Sequence, residues 1–224
     1  MTHLEAEIKN LKTELLDMFH LVRTQLEKSR ESLVRLDKDL AREVMVNEKR
    51  VNAFELKVDR DCENTIALFN PVAIDLRFVL ACLKINSNLE RIGDIADGIC
   101  QFVLNIKMEP EKDLLEATRM MEMFDTSIEI LEEVRLAFEN EDTRLARSVF
   151  KKDELLDEIN MNANQAVAEF IKNHPDRINQ SLYLLSSIRK LERVGDQCKN
   201  ISEEIIFYIE AKVLKHKSRE QKQA

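Results

Sequence analysis

The sequence Leu-Glu-Arg-Ile-Gly-Asp at residues 89–94 returns almost unchanged as Leu-Glu-Arg-Val-Gly-Asp at residues 191–196. A second matching pair lies upstream, where the pattern Ala-Arg-x-Val occurs at residues 41–44 and again at residues 146–149. The two pairs follow one another in the same order and at nearly the same spacing. They therefore indicate a duplicated structural unit, which a chance match of one hexamer would not explain.

The composition around these repeats predicts long helices. Three glycines and three prolines are too few for the many turns of a sandwich or barrel. Charged residues make up 34% of the 224 residues and aromatic residues only 5%, which is typical of amphipathic helices with aliphatic cores. Helix breaks are expected at Pro71, Pro110 and Pro175, with softer breaks near Asp37 and Asn140. The six predicted helices span residues 3–35, 38–69, 72–108, 111–139, 142–173 and 176–215.

Apolar residues in the third predicted helix recur at alternating spacings of four and three, and the sixth helix repeats this pattern. Such a heptad seam packs helices nearly antiparallel when the loops between them are short. The predicted fold class is therefore all-α, with two tandem, pseudo-symmetric three-helix bundles. We place the first repeat at residues 1–108, the second at residues 109–215 and a basic C-terminal tail at residues 216–224.

Charge and local composition limit the cellular setting. A net charge of −8 argues against general nucleic-acid binding, which needs clustered Lys and Arg. The basic stretch from Lys212 to Lys222 is interpreted as a solvated helix end, with a weak membrane or partner contact as the alternative. The N-terminus lacks a signal-peptide pattern, and the longest apolar run, residues 78–83, is far too short to span a bilayer. We expect a cytoplasmic protein with buried, unpaired cysteines.

Each repeat motif carries a Glu and an Asp four positions apart, as Glu90 and Asp94 and as Glu192 and Asp196. Side chains with this spacing lie on one face of a helix, where two like charges repel. A basic side chain or a bound cation would offset the repulsion. The acidic motif is therefore a candidate site for a cation.

An earlier helix of each unit carries a matching pair. It consists of Asp153 and Asp157 in the fifth predicted helix and of Glu48 and Asn52 in the second. If the second and third helices of a unit pack side by side, three or four oxygen ligands converge and would suit Mg²⁺, Mn²⁺, Ca²⁺ or iron. The alternative is a solvated acidic face, screened by neighbouring arginines, as is common in a chain this charged.

Two glycines strengthen the hypothesis of a site. Gly93 and Gly195 lie inside predicted helices, where Gly costs about 1 kcal/mol relative to Ala. A close helix approach at the acidic pairs would explain them. Signs of catalysis are missing, because the four histidines are scattered and no Gly-rich phosphate loop, nucleophile elbow or kinase motif occurs. We therefore predict no enzyme activity and no catalytic residues.

Tandem three-helix units with this doubled motif resemble the PhoU family of phosphate-uptake regulators, over roughly residues 4–212. The resemblance implies two similar bundles that can bind multinuclear iron or zinc clusters through surface acidic motifs. The implied metal ligands are Glu48, Asn52, Glu90, Asp94, Asp153, Asp157, Glu192 and Asp196. An amide at Asn52 replaces a carboxylate of the family pattern, and Gly98 stands where the second unit keeps Asn200. The two sites are therefore not expected to be equivalent, and metal is expected less at the first.

The resemblance also implies a regulatory role. PhoU-like proteins are negative regulators of phosphate uptake and of the phosphate-starvation response. They act as adaptors between a phosphate ABC transporter ATPase and a sensor histidine kinase, usually as homodimers or larger oligomers, and reach the membrane through these partners. Three alternatives stay open: an accessory protein of a low-affinity phosphate permease, a carboxylate-bridged metal protein with or without enzyme activity, and a purely structural coiled coil.

Overall fold

The computed structural model describes residues 2–214, which form seven α-helices and no strand. The helices are α1 (His3–Arg35), α2 (Lys38–Phe69), α3 (Ala73–Asn105), α4 (Lys112–Ala117), α5 (Met120–Asn140), α6 (Thr143–Asn173) and α7 (Ile178–Glu210). A single 3₁₀ turn, Pro175–Arg177, precedes α7. The all-α prediction is confirmed for this part of the chain. The predicted basic tail at residues 216–224 lies outside it.

The helices form two bundles that lie side by side. The first bundle consists of α1, α2 and α3, and the second of α5, α6 and α7, with α4 resting on α5 and α6. Contacts of α3 with α7 and of α1 with α5 join the bundles around a continuous apolar core. The prediction of two tandem three-helix bundles is therefore confirmed.

The heptad seams provide the core of both bundles. The matching seam in α7 is buried at every position, from Leu184 to Ile205. Every seam position of α3 is also buried: Phe78, Cys82, Ile85, Leu89, Ile92, Ala96, Ile99 and Val103. Aromatic rings then connect the bundles. Phe78 of α3 stacks on Phe138 of α5 at 6.1 Å between ring centroids and meets Tyr208 of α7 edge-on at 5.3 Å. The same seam therefore builds one bundle and attaches it to the other.

The first two helices of each bundle are joined by the same local structure. Leu36 ends α1 and Glu141 ends α5, both in the left-handed conformation with φ of 49° and 55°. Asp37 then caps α2 and Asp142 caps α6, each accepting hydrogen bonds from two backbone N–H groups of the first turn. Such a cap contributes about 1 kcal/mol. The two units therefore share their loop geometry as well as their motifs.

The fourth predicted helix, residues 111–139, is wrong as a single helix. It is broken at Thr118 and Arg119, where Arg119 adopts a left-handed φ of 52°. The Arg119 guanidinium pairs with Glu122 and reaches Glu158 of α6 at 2.8 Å. Neither Gly nor Pro marks this turn in the sequence.

Two other predicted helices are shorter than expected. The third ends at Asn105 rather than at residue 108, and the sixth ends at Glu210 rather than at residue 215. All four cysteines are buried and unpaired, as predicted. None of the helices within residues 2–214 combines the length and apolarity that crossing a bilayer requires.

Candidate metal centres

The first acidic site lies between α2 and α3. Carboxylate oxygens of Glu48, Glu90 and Asp94 all lie within 4.8 Å of one another. Glu48 projects from α2, and the other two residues are one turn apart on α3. Both carboxylate oxygens of Glu48 are buried and meet no hydrogen-bond donor. Converging oxygen ligands, two of them on a carboxylate that meets no donor, fit the needs of a hard cation.

Burial and mutual repulsion raise the pKa of several carboxyl groups at this site. Burial is the main reason that the pKa of Glu48 rises to about 7, followed by the charges of Asp94, Asp97 and Glu90. Burial is also the main reason that the pKa values of Glu90 and Asp97 are raised. A proton on Glu48 can be shared with Asp94. Near neutral pH, the first site therefore holds a proton or gains from a bound cation.

The interior glycines bring the helices close at both sites. A Cβ atom at Gly93 would lie 3.0 Å from Val51 Cγ1 and 3.3 Å from Glu48 Oε2. At Gly195 of α7, a Cβ atom would overlap the Asp153 carboxylate of α6. The glycines inside the two helices predict this close approach from the sequence. Each glycine leaves room for the carboxylate that faces it.

The second acidic site already contains a cation of the chain. Asp153 is only 3% exposed. Lys199 Nζ lies 2.5 Å from Asp153 Oδ2 and 2.9 Å from Asp196 Oδ1, so the ammonium joins α6 to α7. Burial disfavours the charged form of Lys199, but the hydrogen bonds to both carboxylates outweigh this effect and raise its pKa. One ammonium therefore offsets part of the negative charge of the second site without any ligand.

The remaining predicted ligands lie less centrally. Burial, with the charges of Asp196 and Asp157 next in size, raises the pKa of Glu192. Asp157 is exposed on α6, and Asn52 is exposed on α2. Within residues 2–214, the first site is the single group of three carboxylates close enough together to share an ion.

The geometry makes the first site the better candidate for a metal, whereas the sequence had favoured the second site. The amide at Asn52 had made the first site the weaker candidate, yet three carboxylates converge there without Asn52. In the second site, Lys199 lies where a cation would otherwise bind. The sequence places Lys199 on the acidic face of α7, three positions after Asp196. Its reach to Asp153 depends on the side-chain conformation, which the spacing does not define.

Two tandem three-helix bundles, each with an acidic site between its second and third helices, define a class of duplicated helical-bundle proteins. The family model described as the PhoU domain matches this chain twice, over residues 15–103 and residues 120–205. The chain therefore belongs to the PhoU family.

Known proteins match over nearly the whole chain. The phosphate-specific transport system accessory protein PhoU of Edwardsiella tarda is 31% identical over 211 residues, which are 94% of this chain and 86% of the relative. PhoU homolog 1 of Thermotoga maritima is 30% identical over 214 residues, 95% of this chain and 91% of the relative. The crystal structure of PhoU from Pseudomonas aeruginosa superposes with a TM-score of 0.88 at 27% identity, covering 94% of this chain and all of that one (100%).

Proposed function

We propose that this protein is a cytoplasmic accessory protein of phosphate-specific transport. The observation that carries the proposal is the similarity to accessory proteins named for that system, over 94% of the chain and through both PhoU domains. As a negative regulator of phosphate uptake and of the starvation response, it acts without catalysis. Its proposed partners are the phosphate ABC transporter ATPase and a sensor histidine kinase, and its proposed form is a homodimer.

The fold supports an adaptor role. Apolar side chains fill the interior of both bundles, while charged groups follow the outer faces of long helices. Two bundles joined through α3 and α7 leave outer helix faces on both sides of the molecule, which supports the proposal that two partners bind at once. Association with the membrane then occurs through those partners.

Deletion of the gene in its own host tests the regulatory role. At high phosphate, a reporter for the high-affinity phosphate transporter is expected to switch on in the deletion strain and to switch off again when the wild-type gene is restored. An unchanged reporter would count against negative regulation. Affinity capture from membranes then distinguishes the partners: the transporter ATPase and a kinase support the adaptor, and a low-affinity permease supports the alternative.

We also propose that the first acidic site holds a metal, in a carboxylate-bridged iron or zinc cluster. The convergence of Glu48, Glu90 and Asp94, and the buried Glu48 oxygens that meet no donor, support this proposal. When bound, the metal supplies the positive charge that lets these carboxylates ionise at neutral pH. Metal content after loading and desalting tests the site. Glu90→Gln is expected to lose metal, whereas Glu63→Gln, at an exposed position on α2, is expected to keep it.

A further inference from the structure

Corresponding positions of the two units carry opposite charges. Asp97 follows Asp94 by three positions on α3, and Lys199 follows Asp196 by three positions on α7. Residues with this spacing lie on the same face of a helix, about one turn apart. Asp97 lies close enough to the first site to raise the pKa of Glu48. A single position therefore adds a negative charge to one site and a positive charge to the other.

The Lys199 ammonium takes the place that a metal ion would need in the second site. It lies between the carboxylates of Asp153 and Asp196, which come from different helices. The other oxygen of Asp153 faces the backbone at Gly195. The ammonium occupies the space between the two carboxylates, and its positive charge repels a second cation at this short range. A metal ion in that space would have to displace Lys199.

Displacement of Lys199 is disfavoured in two ways. The lysine is attached to the same helix as Asp196, so its ammonium is always present at a high local concentration. Asp153 is 3% exposed, so a metal would have to reach a buried carboxylate and break its ion pair with Lys199. The lysine side chain is itself only 28% exposed, so the pair is shielded from competing ions in solution.

We propose that Lys199 is a built-in cation that closes the second acidic site to metal, so that the chain binds metal only at its first site. This inference extends the proposed metal role. The part that concerns the second site does not depend on whether the first site is filled.

Counting bound metal in wild-type and exchanged proteins tests the proposal. Full-length protein is stripped with a chelator, loaded separately with Mn²⁺ and Zn²⁺, desalted and analysed by mass spectrometry of its metal content. Lys199→Gln removes the charge at similar length, and Lys199→Asp copies the first unit. Both are expected to bind at least one more metal ion per chain than the wild type. Adding Asp153→Asn is expected to remove the extra ion.

The reciprocal change and a control complete the test. Asp97→Lys is expected to weaken metal binding at the first site by at least about tenfold, while circular dichroism verifies folding. Lys151→Gln removes an exposed lysine of α6 and is expected to leave the metal count unchanged. Extra metal in the Lys199 variants supports the proposal even if the wild type binds none. Equal metal counts in wild type and Lys199 variants would overturn it, and so would loss of metal from wild-type protein on Asp153→Asn alone.

Discussion

The two acidic sites are built on equivalent helices but differ in charge balance. In the first, Glu48, Glu90 and Asp94 converge, and none of the three forms a salt bridge within residues 2–214. In the second, Lys199 bridges Asp153 and Asp196. Duplication therefore preserved the bundle, the caps and the interior glycine, while one position after the motif changed what the site can bind. The fold fixes where the carboxylates lie, and one side chain decides how much of their charge is offset within the chain.

The largest expected effect is the loss of the Lys199 ion pair. Lys199→Ala leaves the buried Asp153 carboxylate without its cation, and we expect a loss of about 3 kcal/mol in the free energy of unfolding. Asp97→Ala, at the corresponding position, removes a repelling charge and is expected to change stability by less than about 0.5 kcal/mol. Urea unfolding at pH 7 with a chelator measures both. Equal effects of the two changes would refute the difference between the sites.

The interior glycines give a second, smaller contrast. Gly195→Ala places a Cβ against the Asp153 carboxylate and 2.7 Å from Leu156 Cδ1, and we expect a cost of about 2 kcal/mol. Gly93→Ala meets its neighbours at 3.0 Å or more, and the gain in helix propensity of about 1 kcal/mol offsets much of that crowding. Its net cost is expected to be below about 1 kcal/mol. Thermal unfolding measures the loss of stability in each variant. A larger loss for Gly93→Ala would show that the helices approach less closely at the second site than at the first.

The pH dependence of stability should reveal Glu48. Because its pKa rises from 4.5 in the unfolded chain to about 7 in the folded protein, the folded state binds this proton more tightly. Its contribution to stability is complete below pH 4.5 and is lost as the pH rises through 7. After allowance for solvent screening, we expect about 1–2 kcal/mol across this window.

The metal-free Glu48→Gln variant checks this prediction. It should lose less stability than the wild type between pH 4.5 and pH 7, because the amide does not ionise. Melting temperatures measured at intervals across that range give the comparison. Parallel curves for the two proteins would mean that Glu48 ionises normally in the folded chain.

The smallest effect is expected at the third glycine. A Cβ at Gly98 would meet only the flexible end of Lys190, which crosses from α7 over the ring of Phe102. That end can move aside, so Gly98→Ala should gain helix propensity and stabilise the protein by up to about 1 kcal/mol. Calorimetry detects a change of this size. A clear loss of stability would show that Lys190 is fixed in place.

Much of the fold could be predicted from periodicity. The spacing of apolar residues defined the seams of α3 and α7, and every seam residue is buried. Asp37 identified the start of α2 through its capping chemistry, whereas the break expected near Asn140 is capped by Asp142. The break at Arg119 could not be predicted, because neither Gly nor Pro marks it in the sequence.

The candidate site could be predicted only in part. Helical spacing identified Glu90 and Asp94 as neighbours, and the repeat led to Glu48 on the adjoining helix. Which of the two sites is the better candidate for a metal did not follow from the sequence. Lys199 could have extended into solvent, as lysines usually do. Packing against Asp153 decides its direction, and that contact exists only in the folded bundle.

Anomalous scattering is the most direct test of the difference between the sites. Crystals of the full-length protein grown with Mn²⁺ or Zn²⁺, with data collected on both sides of the metal absorption edge, would locate any bound ion independently of its amount. The account predicts a peak beside Glu48, Glu90 and Asp94, with Lys199 still between Asp153 and Asp196. A peak between Asp153 and Asp196, with Lys199 displaced into solvent, would contradict it.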